Sequence, residues 1–233
     1  SNTDGTITSQ VSANPTAGFS IVSWTGNETA GATIGHGLAK EPDFIIFKSR
    51  NEARDWGTYH RSIGPTNRVL LNSTVAASAD SAAINNTHPT SSIITLGASS
   101  AFNNNVGSDS MIAYCWSEIE GYSKFGSYVG NGNDDGPFVY CGFKPAWVMV
   151  KRSTTGADEG WPIFDSSRGS TNPNPKGIYA NSYIAENDAS GRYKDFVSNG
   201  FKVRGTSGEQ NTNGITYIFA AFAESPFQTA NAK

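Results

Sequence analysis

The sequence is poor in the residues that build metal, redox and catalytic centres. It contains 2 cysteines and 3 histidines among 233 residues. Cys115 and Cys141 lie between aromatic and small residues, with no histidine cluster beside either of them, so they cannot form a structural zinc site. This favours free, buried thiols over a disulfide. We expect neither a cofactor nor a metal ion.

Charged residues and long apolar runs are scarce as well. Charged side chains make up 16% of the chain, and the net charge is only −3. This balance excludes the basic patch that is typical of nucleic-acid-binding proteins. No apolar run approaches the roughly 18–20 residues that a membrane-spanning helix needs. We therefore expect neither nucleic-acid binding nor membrane insertion.

Small polar residues take the place of charge. The chain has 25 glycines and is rich in Asn, Ser and Thr. Glycine and asparagine accept positive φ, and serine and threonine bond to nearby backbone, so this composition is typical of turns. Short apolar segments recur at a spacing of roughly 8–12 residues between these turns. The pattern predicts an all-β protein of the β-sandwich type.

Two halves of the chain resemble each other. Residues 44–48 match residues 147–151, and residues 111–118 match residues 217–224. The offset of about a hundred residues is that of a whole domain. We therefore predict an internal duplication that produces two homologous β-sandwich lobes, jelly-roll or lectin-like. The first lobe spans residues 19–120 and the second residues 121–233, preceded by a linker or leading strand in residues 1–18.

The internal alignment gives every tryptophan an aromatic partner in the other half. The pairs are Trp24 with Tyr128, Trp56 with Trp161, Trp116 with Phe222, and Trp147 with Phe44. A core shared by both lobes requires such matching, so we predict that the tryptophans are core residues and that Trp116 and Trp161 are buried. A ligand platform is the alternative for any one of them.

Tyrosines without an aromatic match are better candidates for binding. Tyr179 is matched by Leu70 and Tyr183 by Thr74, and Tyr193 lies in the same polar stretch, residues 170–195. Tyrosine combines a stacking surface with a hydrogen-bonding tip, which suits contact with a glycan or a protein. The alternative is that these rings pack the loop onto the sandwich.

The turn at residues 131–136 is a second candidate. Asn131, Asp134 and Asp135 place several oxygen atoms close together, as in a calcium site. The turn lacks the twelve-residue spacing and the closing glutamate of a calcium-binding loop. A glycine-rich turn with Asx hydrogen bonds is the favoured interpretation.

Catalytic motifs are missing. The histidines His36, His60 and His88 are far apart, and neither a nucleophile elbow nor a zinc-protease helix occurs. Glu118 and Glu224 match each other across the two halves, but sequence does not determine whether they converge as a glycosidase pair would. We predict no enzymatic activity, with a carbohydrate-active enzyme as the least favoured alternative.

Several blocks occur in an order that resembles a known domain. They include Gly35-His36-Gly37-Leu38, Asp55-Trp56 followed by Tyr59-His60, residues 120–128 and residues 220–227. The chain is similar, over nearly its whole length, to a domain widespread in marine bacteriophage structural proteins. Such domains form C-terminal parts of tail-fibre or virion-surface proteins. The resemblance implies a structural or adhesive role on the virion surface, and it supplies no catalytic residues.

These observations lead to an expected function. The domain would attach a virion to a host cell-surface glycan or protein without catalysis. A homo-oligomer, with a trimer favoured, would raise the effective concentration of weak single sites. The alternative is a purely structural module that acts as spacer, decoration or oligomerisation domain.

Overall fold

The computed structural model describes residues 1–102, 109–154, 159–188 and 191–225. Regular structure in these ranges consists of strands and a turn of 3-10 helix at Arg61–Ile63, so the all-β prediction is confirmed. None of the described residues forms a helix long and apolar enough to cross a membrane. Residues 189–190 of the polar stretch, and Pro226 and Phe227 of the last matching block, lie outside the described residues.

The chain divides into two compact units. The first comprises Ser1–Leu71 and Ala77–Glu118, and the second comprises Asn72–Ala76 and Ile119–Lys233. Strands of the first unit are β1 Gln10–Asn14, β2 Phe19–Thr25, β3 Thr33–Gly35, β4 Phe44–Ser49, β5 Gly57–His60, β6 Asn67–Leu70, β7 Ser78–Ala79, β8 Ile93–Thr95 and β9 Ser110–Trp116. Strands of the second unit are β10 Ser123–Val129, β11 Asp135–Tyr140, β12 Pro145–Arg152, β13 Pro162–Asp165, β14 Lys176–Tyr179, β15 Asn187–Asp188, β16 Tyr193–Val197, β17 Gly200–Arg204 and β18 Thr216–Ala223.

The first unit packs a large sheet against a small one. The large sheet has the order β1-β2-β9-β4-β5-β6-β7, and β3 pairs with β8 in the small sheet. Side chains alternate between the two faces of a strand, so Met111, Ala113 and Cys115 of β9 all face the core. Ile34 and Ile94 of the small sheet are fully buried in the same core.

The second unit has the same kind of architecture. Its large sheet has the order β10-β18-β12-β13-β14-β15, and its small sheet has the order β11-β17-β16. Val148 and Val150 of β12 and Phe201 and Val203 of β17 are buried in one core. Each unit therefore buries its core between a large and a small antiparallel sheet, which confirms the β-sandwich prediction.

The two large sheets share a strand order. The series β2-β9-β4-β5-β6-β7 in one unit corresponds to β10-β18-β12-β13-β14-β15 in the other. Phe44 lies opposite Trp116, as Trp147 lies opposite Phe222. This agrees with the sequence match between the halves. Descent of both units from one ancestral unit stays a prediction, because unrelated chains also reach the same topology.

A lysine–tryptophan contact also recurs in the two units. The amine of Lys48 lies 5.8 Å from the ring centre of Trp56, and the amine of Lys151 lies 5.8 Å from that of Trp161. Each lysine donates to the carbonyl two residues before its tryptophan, at 2.7 Å and 2.5 Å respectively. The lysine therefore fixes how the chain enters the following strand in both units.

The tryptophans differ in burial more than the sequence predicts. Trp24 and Trp161 are buried, at 4% and 2% exposure. The prediction that Trp116 is buried is wrong, because it follows the inward-facing Cys115 and so lies on the outer face of β9, half-buried against Phe19 and Phe44. Trp147 is half-buried as well, and Trp56 is 37% exposed.

Both cysteines are buried as free thiols. Burial raises the pKa of the Cys115 thiol to about 12. The thiol is therefore protonated at neutral pH and behaves as a small apolar side chain.

Candidate binding site

The two candidate segments of the sequence meet on the small sheet of the second unit. A depression of about 480 Å³, referred to below as the outer depression, lies against this sheet. It contains Tyr193 from the stretch 170–195 and Asp134 from the turn 131–136. Its other main lining residues are Asn172, Pro173, Asp195 and Arg204.

Strand alternation explains which side chains reach the depression. On β16, Phe196 is buried in the core, so Asp195 and Tyr193 point to the opposite face of the sheet. Tyr193 lies opposite Arg204 on β17, and Asp195 lies opposite Lys202. The outer face of the small sheet therefore carries aromatic and charged side chains side by side.

The charges on this face are paired with one another. Arg204 Nε donates to Asp195 Oδ2 at 2.7 Å, and Arg204 Nη1 contacts Asp135 Oδ1. Lys202 Nζ lies 3.0 Å from the same Asp135 oxygen. The hydrogen bond from Lys202, followed by the charges of Lys202 and Arg204, lowers the pKa of Asp135. The sheet face thus presents oriented polar groups with little net charge.

One carboxylate oxygen in the depression is unsatisfied. Asp195 is 8% exposed, and its Oδ1 is buried without a hydrogen-bond partner in the part of the chain that the structure describes. Buried polar atoms in folded proteins normally have a partner. This oxygen is shielded from solvent, so Asp195 contributes to the depression through its ion pair with Arg204.

Backbone contacts fix the walls of the depression. The side chain of Asn172 donates through Nδ2 to Phe196 O at 2.9 Å and accepts through Oδ1 from Phe196 N at 3.0 Å. It therefore extends the sheet beyond β16. Gly205 N donates to the carbonyl of Asp134 at 3.1 Å. Gly205 has φ +85°, and a Cβ there would lie 2.3 Å from Gly191 O. Only glycine therefore permits this close approach of the two loops.

The turn at residues 131–136 is held by its own side chains. Asn131 Oδ1 accepts from Asn133 N and Asn133 Oδ1 accepts from Asp135 N, each at 3.0 Å. Asn131 Nδ2 donates to Asp135 O at 3.0 Å. Among the described residues no group of three or more His, Cys, Asp or Glu side chains could hold a metal ion. These Asx turns orient Asp134 toward the depression.

Tyr179 belongs to an internal network and not to the depression. Its hydroxyl donates to Glu209 Oε1 at 2.5 Å and contacts Arg192 Nη1. Arg192 is 1% exposed at the side chain, and its guanidinium lies 4.7 Å from the centre of the Tyr179 ring. The hydroxyl and one face of the ring are therefore already engaged inside the unit.

Tyr183 stands apart from both of the other tyrosines. It is fully exposed in the loop between β14 and β15. The structure thus brings Tyr193 together with Asp134 and Asp135, and it brings neither Tyr179 nor Tyr183 into that group. Asn131 contributes through the geometry of the turn.

A model of the family described as "Domain of unknown function (DUF7483)" matches residues 1–226. The chain belongs to the DUF7483 family. No curated protein and no solved structure matches the chain. The family description assigns no activity, so a function for this DUF7483 domain has to be argued from its geometry.

Sequence reasoning missed Lys202 and Arg204 of the DUF7483 domain, and it did not single out Asn172 and Asp195 within the candidate stretch 170–195. A signal for three of them was present in residues 193–204, where Lys202 and Arg204 alternate with Phe201 and Val203 after a short Ser198-Asn199 turn. Treated as a hairpin, this pattern places Asp195, Lys202 and Arg204 on one face. Asn172 gave no comparable signal, because its partner Phe196 lies 24 positions away in the chain.

A buried lysine lies beneath the depression of the DUF7483 domain. Lys194 is 0% exposed; its amine lies 4.7 Å from the ring centre of Phe164 and contacts Gln210 Oε1. Burial lowers the pKa of Lys194 well below its ordinary value; the charge of Arg192 lowers it further, and Glu209 opposes the shift. The fold therefore disfavours the charged form of this amine relative to the unfolded chain.

We expect Lys194 to make stability depend on pH. Unfolded lysine titrates near pH 10.4. Between the folded and unfolded pKa values the unfolded chain holds a proton that the folded protein lacks, so stability rises with pH in that window, by at most about 1.4 kcal/mol per pH unit. The measurement is the free energy of unfolding at pH 7, 8 and 9 for the wild type and Lys194→Met. Equal pH slopes for the two proteins would contradict the assignment.

Proposed function

We propose that this chain is a non-catalytic attachment domain of a bacteriophage virion-surface protein, contacting the host cell surface through the outer depression. The observation that carries the proposal is the convergence of Tyr193 and Asp134 from two separate segments. Both segments lie where the second half of the sequence departs from the first. The bacteriophage setting is supported by the sequence blocks that resemble marine bacteriophage structural proteins.

The chemistry of the depression suits recognition. Tyr193 supplies a half-buried ring that lines the depression. Asn172 and Gly205 hold the walls in place, so little conformational entropy is lost on binding. Such a shallow site binds weakly alone, and display of several copies, three in a trimer, would give useful avidity.

Two substitutions in the depression should weaken attachment. We expect the variant Tyr193→Ala, Asp134→Ala to bind host cells at least tenfold more weakly, since it removes the ring and the exposed carboxylate. The measurement is binding of the labelled protein to a panel of marine bacteria. Tyr183→Ala is the control, because this tyrosine is fully exposed but does not line the depression.

The outcomes separate the alternatives. A folded double variant that binds as well as the wild type would place the site elsewhere, and loss of binding in Tyr183→Ala alone would place it in the loop between β14 and β15. A wild-type protein that binds no cells in the panel would favour the structural module instead. Circular dichroism and the thermal midpoint show that each variant is folded.

A further inference from the structure

Two exposed aromatic rings lie on the outer edge of the small sheet in the second unit. Phe138 is 47% exposed and Tyr140 is 64% exposed, while Val139 between them is buried in the core. Both rings therefore point to the outer face of β11. Single exposed apolar residues are common, but neighbouring exposed rings form a contiguous apolar patch, and such patches often mark interaction sites.

These rings lie on the same sheet face as the outer depression. Phe138 lies opposite Lys202 on β17, and Lys202 lies opposite Asp195 on β16. From strand spacing and rise, Phe138 and Tyr193 are about 12 Å apart. The distance exceeds the size of a single sugar ring. The aromatic pair and the depression together form one elongated surface.

The first unit lacks this surface. The buried pair Ile34–Ile94 in β3 and β8 corresponds by register to Val139–Phe201 in β11 and β17. Thr33 and Gly35 thus stand where the second unit has Phe138 and Tyr140. Thr6 N donates to Thr33 Oγ1 at 2.9 Å, and a Cβ on Gly35 would collide with the side chain of Asn2. A sandwich of this kind therefore forms without the two rings.

Two features argue against a protein partner on this surface. Pro137 and the register shift between Asp135 and Phe138 interrupt the free edge of β11, which hinders addition of a peptide strand. The ion-paired Lys202, Arg204 and Asp195 occupy the middle of the face. The centre of a protein interface is usually depleted of charge, and a stable one buries about 800 Å² per partner.

We propose that this surface binds a neutral oligosaccharide chain of at least two sugar units. The inference rests on the proposed function and specifies its receptor as a glycan. The apolar face of one sugar ring stacks on Phe138 or Tyr140. Hydroxyl groups of the next sugar donate to the exposed carboxylate of Asp134 and accept from Arg204. An anionic ligand is disfavoured because Lys202 and Arg204 are neutralised by Asp135 and Asp195, and Asp134 adds a further negative charge.

The test is binding of the wild-type protein to purified polysaccharides. The probes are neutral glucan, mannan and galactan, together with the anionic polysaccharides alginate and carrageenan, each at low and high salt. We expect binding to at least one neutral polysaccharide, unchanged between 50 mM and 500 mM NaCl because salt screens only charges. The variant Phe138→Ala, Tyr140→Ala should lose at least tenfold in affinity, and the control Val129→Ala should not.

The results distinguish failure of this inference from failure of the proposed function. Binding to anionic polysaccharide alone with strong salt dependence, or no polysaccharide binding by a protein that still binds cells, would overturn the glycan inference and leave attachment intact. Absence of cell binding by the wild-type protein would contradict both the glycan inference and the proposed attachment function. A change in oligomeric state in light scattering of the double variant would instead make the rings a contact between copies. If the double variant misfolds, Tyr140→Ser serves as the second variant, since this ring is largely exposed.

Discussion

Replacing Trp161 by alanine is expected to lower the free energy of unfolding by about 3–5 kcal/mol. The ring is 2% exposed, and the Trp161 backbone N–H donates to Asn181 Oδ1 at 2.7 Å. It also faces Lys151, which is 0% exposed and donates to the carbonyls of Thr74 and Glu159. Truncation would leave a cavity beside the buried amine of Lys151. The lost packing then adds to the lost cation–π contact between this amine and the Trp161 ring.

Trp56 provides the matched control for this substitution. It occupies the corresponding position of the first unit, with Lys48 at the same 5.8 Å distance, but it is 37% exposed. Trp56→Ala should cost only about 1 kcal/mol, because more than a third of its surface is already exposed to water and less packing is lost. Urea denaturation of both variants measures the difference. Equal losses of unfolding free energy in Trp161→Ala and Trp56→Ala would show that the difference in burial has no effect on stability.

The sequence predicts the fold better than it predicts burial. Composition and strand spacing predict an all-β sandwich, and the match between the halves agrees with the common strand order. The same match fails to separate core from surface. Trp116 packs on Phe44 on the outer face of its sheet, and Phe222 packs on Trp147 in the other unit. A repeated outward cluster therefore gives the same aromatic pairing as a repeated core.

The candidate site was only partly predictable, because long-range partners decide which side chains are free to bind. Tyr193 and Tyr179 look alike in sequence, yet the hydroxyl of Tyr179 is taken by Glu209, which lies 30 positions away in the chain. Lys194 looks like a surface residue and is instead buried against Phe164 and Gln210. Local patterns predict the alternation of β16 and β17. They do not predict which loop covers each face.

Replacing Arg192 by methionine is expected to cost about 3–5 kcal/mol, as breaking one side of a buried ion pair does. The Arg192 side chain is 1% exposed and Glu209 is 17% exposed, and the two groups are 2.6 Å apart. Arg192 also donates to Asn187 Oδ1 at 2.7 Å. Without the guanidinium, the carboxylate of Glu209 retains the hydrogen bond from the Tyr179 hydroxyl but loses its ion pair, so a poorly compensated charge remains partly buried.

A double-mutant cycle tests this interpretation of the ion pair. We expect Arg192→Met with Glu209→Leu to be less destabilised than the sum of the single variants, with a coupling of at least about 1 kcal/mol, because no uncompensated charge then remains buried. Lys144→Ala is the control, since its 2.8 Å pair with Glu224 has 46% and 47% exposed side chains and should contribute less than about 1 kcal/mol. If Arg192→Met lowers the free energy of unfolding no more than Lys144→Ala does, the network of Arg192, Glu209 and Tyr179 does not stabilise the fold. Tyr179, which it holds in place, would then return as a candidate for ligand contact.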